Sequence, residues 1–155
     1  MPFAVTHILV PILLVSLWRD FYLKRRNKWK FPLHYVLIAG LAGVLPDIDI
    51  IISMILNIIG IQNWDIHKTF THSLFFPFIF LILFLLTRKI NVKAQICRIR
   101  NHKLKMSTIF FVLFIGIFIH ISLDAFFGEQ AYLLYPFSSY DYSANVVGNI
   151  SFDLQ

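Results

Sequence analysis

The sequence predicts an all-α membrane protein, a polytopic bundle of about four transmembrane helices that forms a single integral membrane domain over residues 1–155. Hydrophobic residues make up 58% of the chain and charged residues only 14%, with 17 phenylalanines, which leaves too little polar surface for a soluble domain of this length. The apolar residues fall into four stretches, near 2–18, 33–60, 70–87 and 107–127. About 20 such residues cross a hydrocarbon core of ~30 Å, so the stretches are interpreted as spans.

The first stretch is the shortest of the four, and a cleaved signal peptide is its alternative interpretation. Its apolar run is not preceded by basic residues and is not followed by an A-x-A-like cleavage site, both of which a signal peptide requires. We therefore expect a short first span that the bilayer accommodates by thinning around it.

The placement of Lys and Arg predicts the orientation of the bundle. Six of them lie between spans one and two and seven between spans three and four, whereas the loop after span two has only Lys68 and residues 128–155 have none. Short loops rich in Lys and Arg stay cytoplasmic, and the loop between spans three and four is interpreted as a connector along the lipid headgroups. We expect a multi-pass protein of the cell (inner) membrane with its N-terminus and its segment 128–155 outside the cytoplasm. Orientation accounts for the net charge of +6, so membrane lipids are expected partners and nucleic acid is not.

The second stretch combines small residues with a predicted break. Gly40 and Gly43, together with neighbouring alanines, form a small-residue face that allows another helix to approach closely. Pro46 lacks a backbone donor, so it predicts an interruption of the helix just before two aspartates.

Those two carboxylates, Asp47 and Asp49, lie in one of the most apolar segments of the chain. An ionised Asp in hydrocarbon costs about 2.5–3.5 kcal/mol, so the pair requires a positive partner. The apolar stretches contain almost no Lys or Arg, but they contain His7, His72 and His120. A metal ion held by Asp and His is therefore the first interpretation. A protonated His is another candidate partner, and capping of a restarting helix by one Asp is the structural alternative.

Two further motifs carry metal-ligating residue types. His67 and His72 lie on either side of the start of span three, where Thr71 or a neighbouring serine could instead cap the helix. His120 and Asp124 are four residues apart, so they lie on one helix face and could chelate an ion together. A simple hydrogen bond between them is the alternative.

The predicted topology places all the candidates on one side of the membrane. They fall in the outer half of the bilayer or just above it: His7, Asp47, Asp49, His67, His72, His120 and Asp124. This convergence favours a shared metal site over seven separate structural roles. Imidazole and carboxylate suit Zn²⁺, with Mn²⁺ and Fe²⁺ as alternatives. One ion with supporting residues, or two ions with a bridging carboxylate, would both fit.

The ordered motifs also resemble a known family. They are His7, Leu45-Pro-Asp-Ile-Asp49, His67-Lys-Thr-Phe-Thr-His-Ser73, His120-x-x-x-Asp124 and Leu134-Tyr-Pro-Phe-Ser138. Their order is similar to that of the YdjM-like family of membrane-bound metal-dependent hydrolases, which is distantly similar to the zinc-dependent phospholipase C and single-strand nuclease superfamily. The resemblance implies that Asp47 or Asp49, His72, His120 and Asp124 are ligands and that His7 serves a second ion.

The resemblance has two departures. Lys68 stands where the family often has Arg, so a phosphate contact there would be a point charge and not a bidentate fork. The second His-x-x-x-Glu helical pair of the soluble enzymes is missing from the sequence, so a full three-zinc centre is not expected.

The leading hypothesis is metal-assisted hydrolysis of an ester or phosphoester at the outer face of the membrane. Asp49 or Glu129 would accept a proton and Lys68 would contact a phosphate. A lipid headgroup is the natural substrate because the site opens at headgroup level. The alternative is a non-enzymatic membrane protein with a structural metal site or an ion-handling role.

Overall fold

The computed structural model describes residues 4–22, 31–60, 70–96, 100–127 and 132–142. This part of the chain forms five helices and a two-stranded hairpin. The helices are α1 (Ala4–Tyr22), α2 (Leu33–Ala42), α3 (Ile48–Ile58), α4 (Phe75–Leu86) and α5 (Met106–Phe127), and the strands are β1 (Asn91–Ile96) and β2 (Arg100–Lys105). The predicted helical architecture is confirmed, and the hairpin is an addition to it.

Helix α5 forms the centre of the bundle, because α1, α2 and α4 all pack against it. Its side chains Val112 and Ile117 are completely buried. Small residues bring α5 close to α2: a Cβ atom on Gly116 would lie 2.6 Å from the carbonyl oxygen of Ala39 and 2.6 Å from Cβ of Ala42. The small-residue face predicted for the second stretch is therefore confirmed as a close helix–helix interface.

Residues 33–60, predicted as one span, form two helices. The turn 43–47 separates α2 from α3, and the missing N–H of Pro46 explains why the helix is interrupted there. Asp47 occupies the N-cap position of α3, but its side chain makes no capping hydrogen bond. The capping alternative is not supported for this carboxylate, which leaves it available for another role.

Helix length limits which elements can cross a membrane unaided. Helices α2, α3 and α4 have 10–12 residues each, which corresponds to about 15–18 Å and falls short of a ~30 Å hydrocarbon core. Within the ranges that the structure describes, α5 is the one helix that is both long and apolar enough to span a bilayer. The count of four spans stays a prediction.

Helix α3 presents apolar side chains in almost every direction. Ile51, Met54 and Ile58 are all largely exposed, the last at 84%, and the buried residue of this helix is Asp49. A contiguous apolar surface of this kind is unfavourable in water. The surface of α3 therefore fits hydrocarbon surroundings.

The basic segment between α4 and α5, predicted as a connector along the lipid headgroups, forms an antiparallel hairpin. Asn91 pairs with Lys105 across it, and the Lys105 amide donates to the Tyr35 hydroxyl at 3.0 Å. Polar and apolar residues alternate over 91–96, which is the period of a strand. The interpretation as a connector missed this signal.

Candidate metal centre

Four separate segments of the chain meet at one end of the bundle. The first turns of α1 contribute His7, the turn before α3 contributes Asp47, the turn before α4 contributes His72, and the last turns of α5 contribute His120 and Asp124. The three histidines and Asp124 are buried, whereas the Asp47 side chain is 24% exposed. The cluster is therefore enclosed except at its Asp47 edge.

His120 lies at the centre of this cluster. Its Nδ1 is 2.6 Å from the Gly43 carbonyl oxygen, which can only accept, so Nδ1 carries a proton and donates it. Nε2 then presents a lone pair 3.2 Å from Asp124 Oδ2, 3.3 Å from His72 Nε2 and 3.5 Å from Asp47 Oδ1. Metal-binding histidines are held in this way, with the other ring nitrogen fixed by a protein acceptor.

His72 is oriented by a short relay of side chains. The Thr71 hydroxyl donates to Asp49 Oδ2 at 2.7 Å and lies 3.1 Å from His72 Nδ1. Because its own proton is engaged with Asp49, the hydroxyl oxygen accepts from His72 Nδ1–H. Asp49 Oδ2 is itself 3.4 Å from that nitrogen. The Nε2 atom of His72 is thereby turned into the cluster, 3.5 Å from both Asp47 Oδ1 and Asp124 Oδ2.

Two imidazole nitrogens, Nε2 of His72 and of His120, therefore lie close to two carboxylate oxygens, Asp47 Oδ1 and Asp124 Oδ2. Five of their separations are 3.2–3.5 Å, longer than the roughly 2.7–2.9 Å of charge-assisted hydrogen bonds. Lone pairs that face one another are satisfied by a cation, either a metal ion or a proton on one imidazole, because buried charges must be paired or coordinate a metal. Three of these residues, Asp47, His72 and His120, form a group that could hold a metal ion.

His7 lies on the other side of Asp124. Its Nε2 is 3.3 Å from Asp124 Oδ1, and its ring packs against the His120 ring with centroids 4.1 Å apart. His7, His120 and Asp124 form a second group of potential ligands, whose ligand atoms all lie within 4.8 Å of one another. Asp124 offers one oxygen to each side, whereas the single lone pair on His120 Nε2 can serve only one of the two groups.

Comparison with protein families agrees with the membrane character of the fold. The family model described as YdjM inner membrane protein matches residues 1–153. The chain belongs to the YdjM inner membrane protein family. Comparison with curated proteins and with solved structures gives no significant match. Membership of an inner membrane protein family is consistent with the predicted localisation and with the apolar surface of α3.

In this member of the YdjM family, five of the seven predicted ligands come together, namely His7, Asp47, His72, His120 and Asp124. Asp49 lies behind His72 and, among the described residues, belongs to neither potential ligand group. The remaining predicted site residues, His67, Lys68 and Glu129, lie outside the described residues.

Two residues that orient the histidines were not predicted in these roles. Thr71 was considered as a helix cap, but its hydroxyl engages Asp49 and His72, and α4 has no side-chain cap hydrogen bond. Gly43 was considered only as a helix contact. The predicted break at Pro46 was the sequence signal for the role of Gly43. The last carbonyls of an interrupted helix need hydrogen-bond donors from elsewhere in the protein.

Proposed function

We propose that this protein is a membrane-bound, metal-dependent hydrolase that acts on a phosphoester or a lipid headgroup at the outer face of the membrane. The proposal rests on the four converging atoms of Asp47, His72, His120 and Asp124. In a tetrahedral Zn²⁺ site with bonds of 2.0–2.1 Å, ligand atoms lie about 3.3–3.4 Å apart, and five separations here are 3.2–3.5 Å. Their chemistry fits Zn²⁺, with Mn²⁺ and Fe²⁺ as alternatives.

A bound Zn²⁺ would polarise a substrate oxygen and bring the pKa of a coordinated water to about 7, which makes a nucleophile available near neutral pH. Residues of the chain would provide substrate access, the phosphate contact and proton transfer. Asp47 lies at the exposed edge, so a substrate reaches the centre from its side. Lys68 and Glu129 keep their predicted roles as phosphate contact and proton acceptor.

Asp49, expected from the sequence to bind metal or accept a proton, has a positioning role in the proposal. It is 1% exposed and is bound by the Thr71 hydroxyl, so a substrate cannot reach it. We therefore assign it to the positioning of His72 and leave proton transfer to other groups.

The outer location is supported by the distribution of charge along the bundle. The basic hairpin leads directly into the first residue of α5, Met106, whereas His120 and Asp124 lie near the end of that helix. The cluster and the basic segment therefore lie at opposite ends of α5. If basic segments face the cytoplasm, the cluster faces outward.

A structural metal site is the second candidate, and the same four atoms favour it. Four protein ligands can close the coordination of Zn²⁺, whereas catalytic zinc commonly keeps three protein ligands and one open position. The exposure of Asp47 supports the catalytic reading, because a ligand at the rim can yield to water or the centre can expand to five ligands.

Metal removal tests the proposal directly. Protein purified in detergent is expected to contain about one or two equivalents of Zn²⁺ or Mn²⁺ by elemental analysis. Phosphodiester and phospholipid substrates should be hydrolysed, and this activity should disappear with a chelator and return with added metal. Stoichiometric metal without turnover on any substrate would assign the structural role. Full turnover by metal-free protein would overturn the hydrolase mechanism.

The positioning role of Asp49 gives a second expected result. Asp49→Asn should lower metal affinity about 10- to 100-fold, since groups that orient a ligand histidine contribute on that order. Thr71→Val should have an effect in the same direction, and Thr71→Ser, which keeps the hydroxyl, should restore affinity. Competition against a chelator of known affinity measures this change, with the melting temperature of the metal-free protein as control. Unchanged affinity in Asp49→Asn would show that the carboxylate does not act on His72.

A further inference from the structure

We propose that a second site, an apolar cavity remote from the Asp–His cluster, binds an acyl chain of an anionic phospholipid. The cavity has a volume of about 270 Å³ and lies between α1 and α5. It is lined by Leu14, Val15 and Trp18 of α1, by Phe31, and by Phe111 and Ile115 of α5, among others. An apolar cavity of about 150 Å³ already accepts benzene, so this one can take a longer hydrocarbon segment.

The cavity has a closed base and an open mouth. Val15 and Phe31 are buried, whereas Leu14 and Trp18 are nearly half exposed. In a member of an inner membrane protein family, the mouth of such a cavity faces hydrocarbon and not water. The occupant that matches an all-apolar lining reached from hydrocarbon is a lipid chain.

The guanidinium of Arg19 lies beside this cavity. Arg19 follows Trp18 in α1, and its Nε donates to the carbonyl oxygen of Phe31 at 2.8 Å. Its Nη1 is 3.3 Å from Asp20 Oδ1, and the Arg19 side chain is 16% exposed and the Asp20 side chain 53% exposed. A guanidinium has five N–H donors, so these two contacts leave donors for a phosphate, which Arg recognises in bidentate fashion.

The surrounding end of the bundle is basic as well. The Phe31 ring packs against Tyr35 with centroids 5.0 Å apart, and the Tyr35 hydroxyl accepts from the amide of Lys105, at the end of the hairpin. The Lys105 side chain is exposed. Basic residues beside a membrane attract anionic lipids, so apolar lining and charge together select an anionic phospholipid over a neutral one.

This site is independent of the proposed hydrolase. On α5, the lining residues Phe111 and Ile115 precede His120 by more than one helical turn, and on α1 Val15 lies two turns after His7. Loss of the metal would therefore leave the lipid site in place, and the two proposals can fail separately.

Phosphatidylglycerol and phosphatidylcholine serve as probes of the full-length protein in detergent, with bound lipid counted by native mass spectrometry. Wild type is expected to keep about one phosphatidylglycerol per chain and to prefer it about 10-fold over phosphatidylcholine. Val15→Phe, which places a ring in the cavity, should lose this lipid, whereas Leu13→Phe on the exposed face of α1 should keep it. Arg19→Gln should bind both lipids equally.

Equal binding of the two lipids by wild type, or retention of the lipid by a folded Val15→Phe variant, would overturn the proposal. Circular dichroism and gel filtration report whether that variant folds. If Val15→Phe does not fold, the Arg19→Gln variant tests the proposal instead. An unchanged preference of that variant for phosphatidylglycerol would contradict the site.

Discussion

Replacement of His120 by alanine is expected to eliminate stoichiometric metal binding and, with it, hydrolysis. Nε2 of His120 lies within 3.5 Å of Asp47, His72 and Asp124, so it is the atom common to the whole group. Loss of a residue that merely orients a ligand costs about 10- to 100-fold in affinity, and loss of this central ligand should exceed about 100-fold. Elemental analysis and turnover of the purified variant measure the two effects.

The matched control for this variant is His102→Ala. His102 lies in β2, just before α5, and α5 separates it from His120 by roughly 20 Å, so metal content and turnover should be unchanged. Since His120→Ala also removes the partner of the Gly43 carbonyl, Asp124→Asn provides a second variant of nearly wild-type shape. Wild-type metal content in both His120→Ala and Asp124→Asn would contradict the site.

Gly43→Ala is expected to disrupt the fold and the metal site together. A Cβ atom at this position would overlap with the carbonyl oxygen of His7 and lie 2.9 Å from Pro11 Cγ. Backbone cannot rotate away as a side chain can, so α1 must move off α2 and carry His7 with it. Overpacking of this kind costs about 1–3 kcal/mol. Denaturant unfolding in detergent and metal analysis should both report the loss.

Gly40→Ala, three residues earlier and inside α2, is the control for this prediction. Its Cβ would meet only the ends of the Ile12 side chain, at 2.6 and 2.7 Å, and this side chain can change rotamer. Alanine is also favoured over glycine inside a helix by about 1 kcal/mol. A Gly43→Ala variant as stable as Gly40→Ala, with full metal content, would show that the contact between α1 and α2 is looser than described.

The residues of the site could be predicted from the sequence because each ionisable side chain in an apolar segment is costly to place in hydrocarbon. Asp47, His72, His120 and Asp124 stood out as ionisable groups in apolar sequence, and charge bias placed them on one side. The distinct positions of Asp47 and Asp49 could not be predicted, because they depend on the backbone of the turn 43–47. In the structure Asp47 faces His120, whereas Asp49 supports His72 from behind.

The helices of the fold could also be predicted from the sequence, whereas their exact division and the hairpin could not. The long apolar stretches and Pro46 indicated helices and a break, but they could not show that residues 33–60 form two helices too short to span a membrane alone. The hairpin was missed because its strands are basic, and the charge of a loop suggested contact with headgroups more strongly than its alternation suggested strands. The orienting roles of Thr71 and Gly43 arise only from tertiary contacts.

The dispersal of the cluster over the whole chain has a consequence for biosynthesis. His7 lies in α1, whereas His120 and Asp124 lie in α5, which is synthesised after the other four described helices. At about 5–20 residues per second, several seconds separate the synthesis of Asp47 from that of its imidazole partner His120. Both potential ligand groups contain His120, so neither is complete before α5 has been made. If the protein binds metal as proposed, uptake of the ion would therefore follow the insertion of α5 and report that α1, α3, α4 and α5 have assembled.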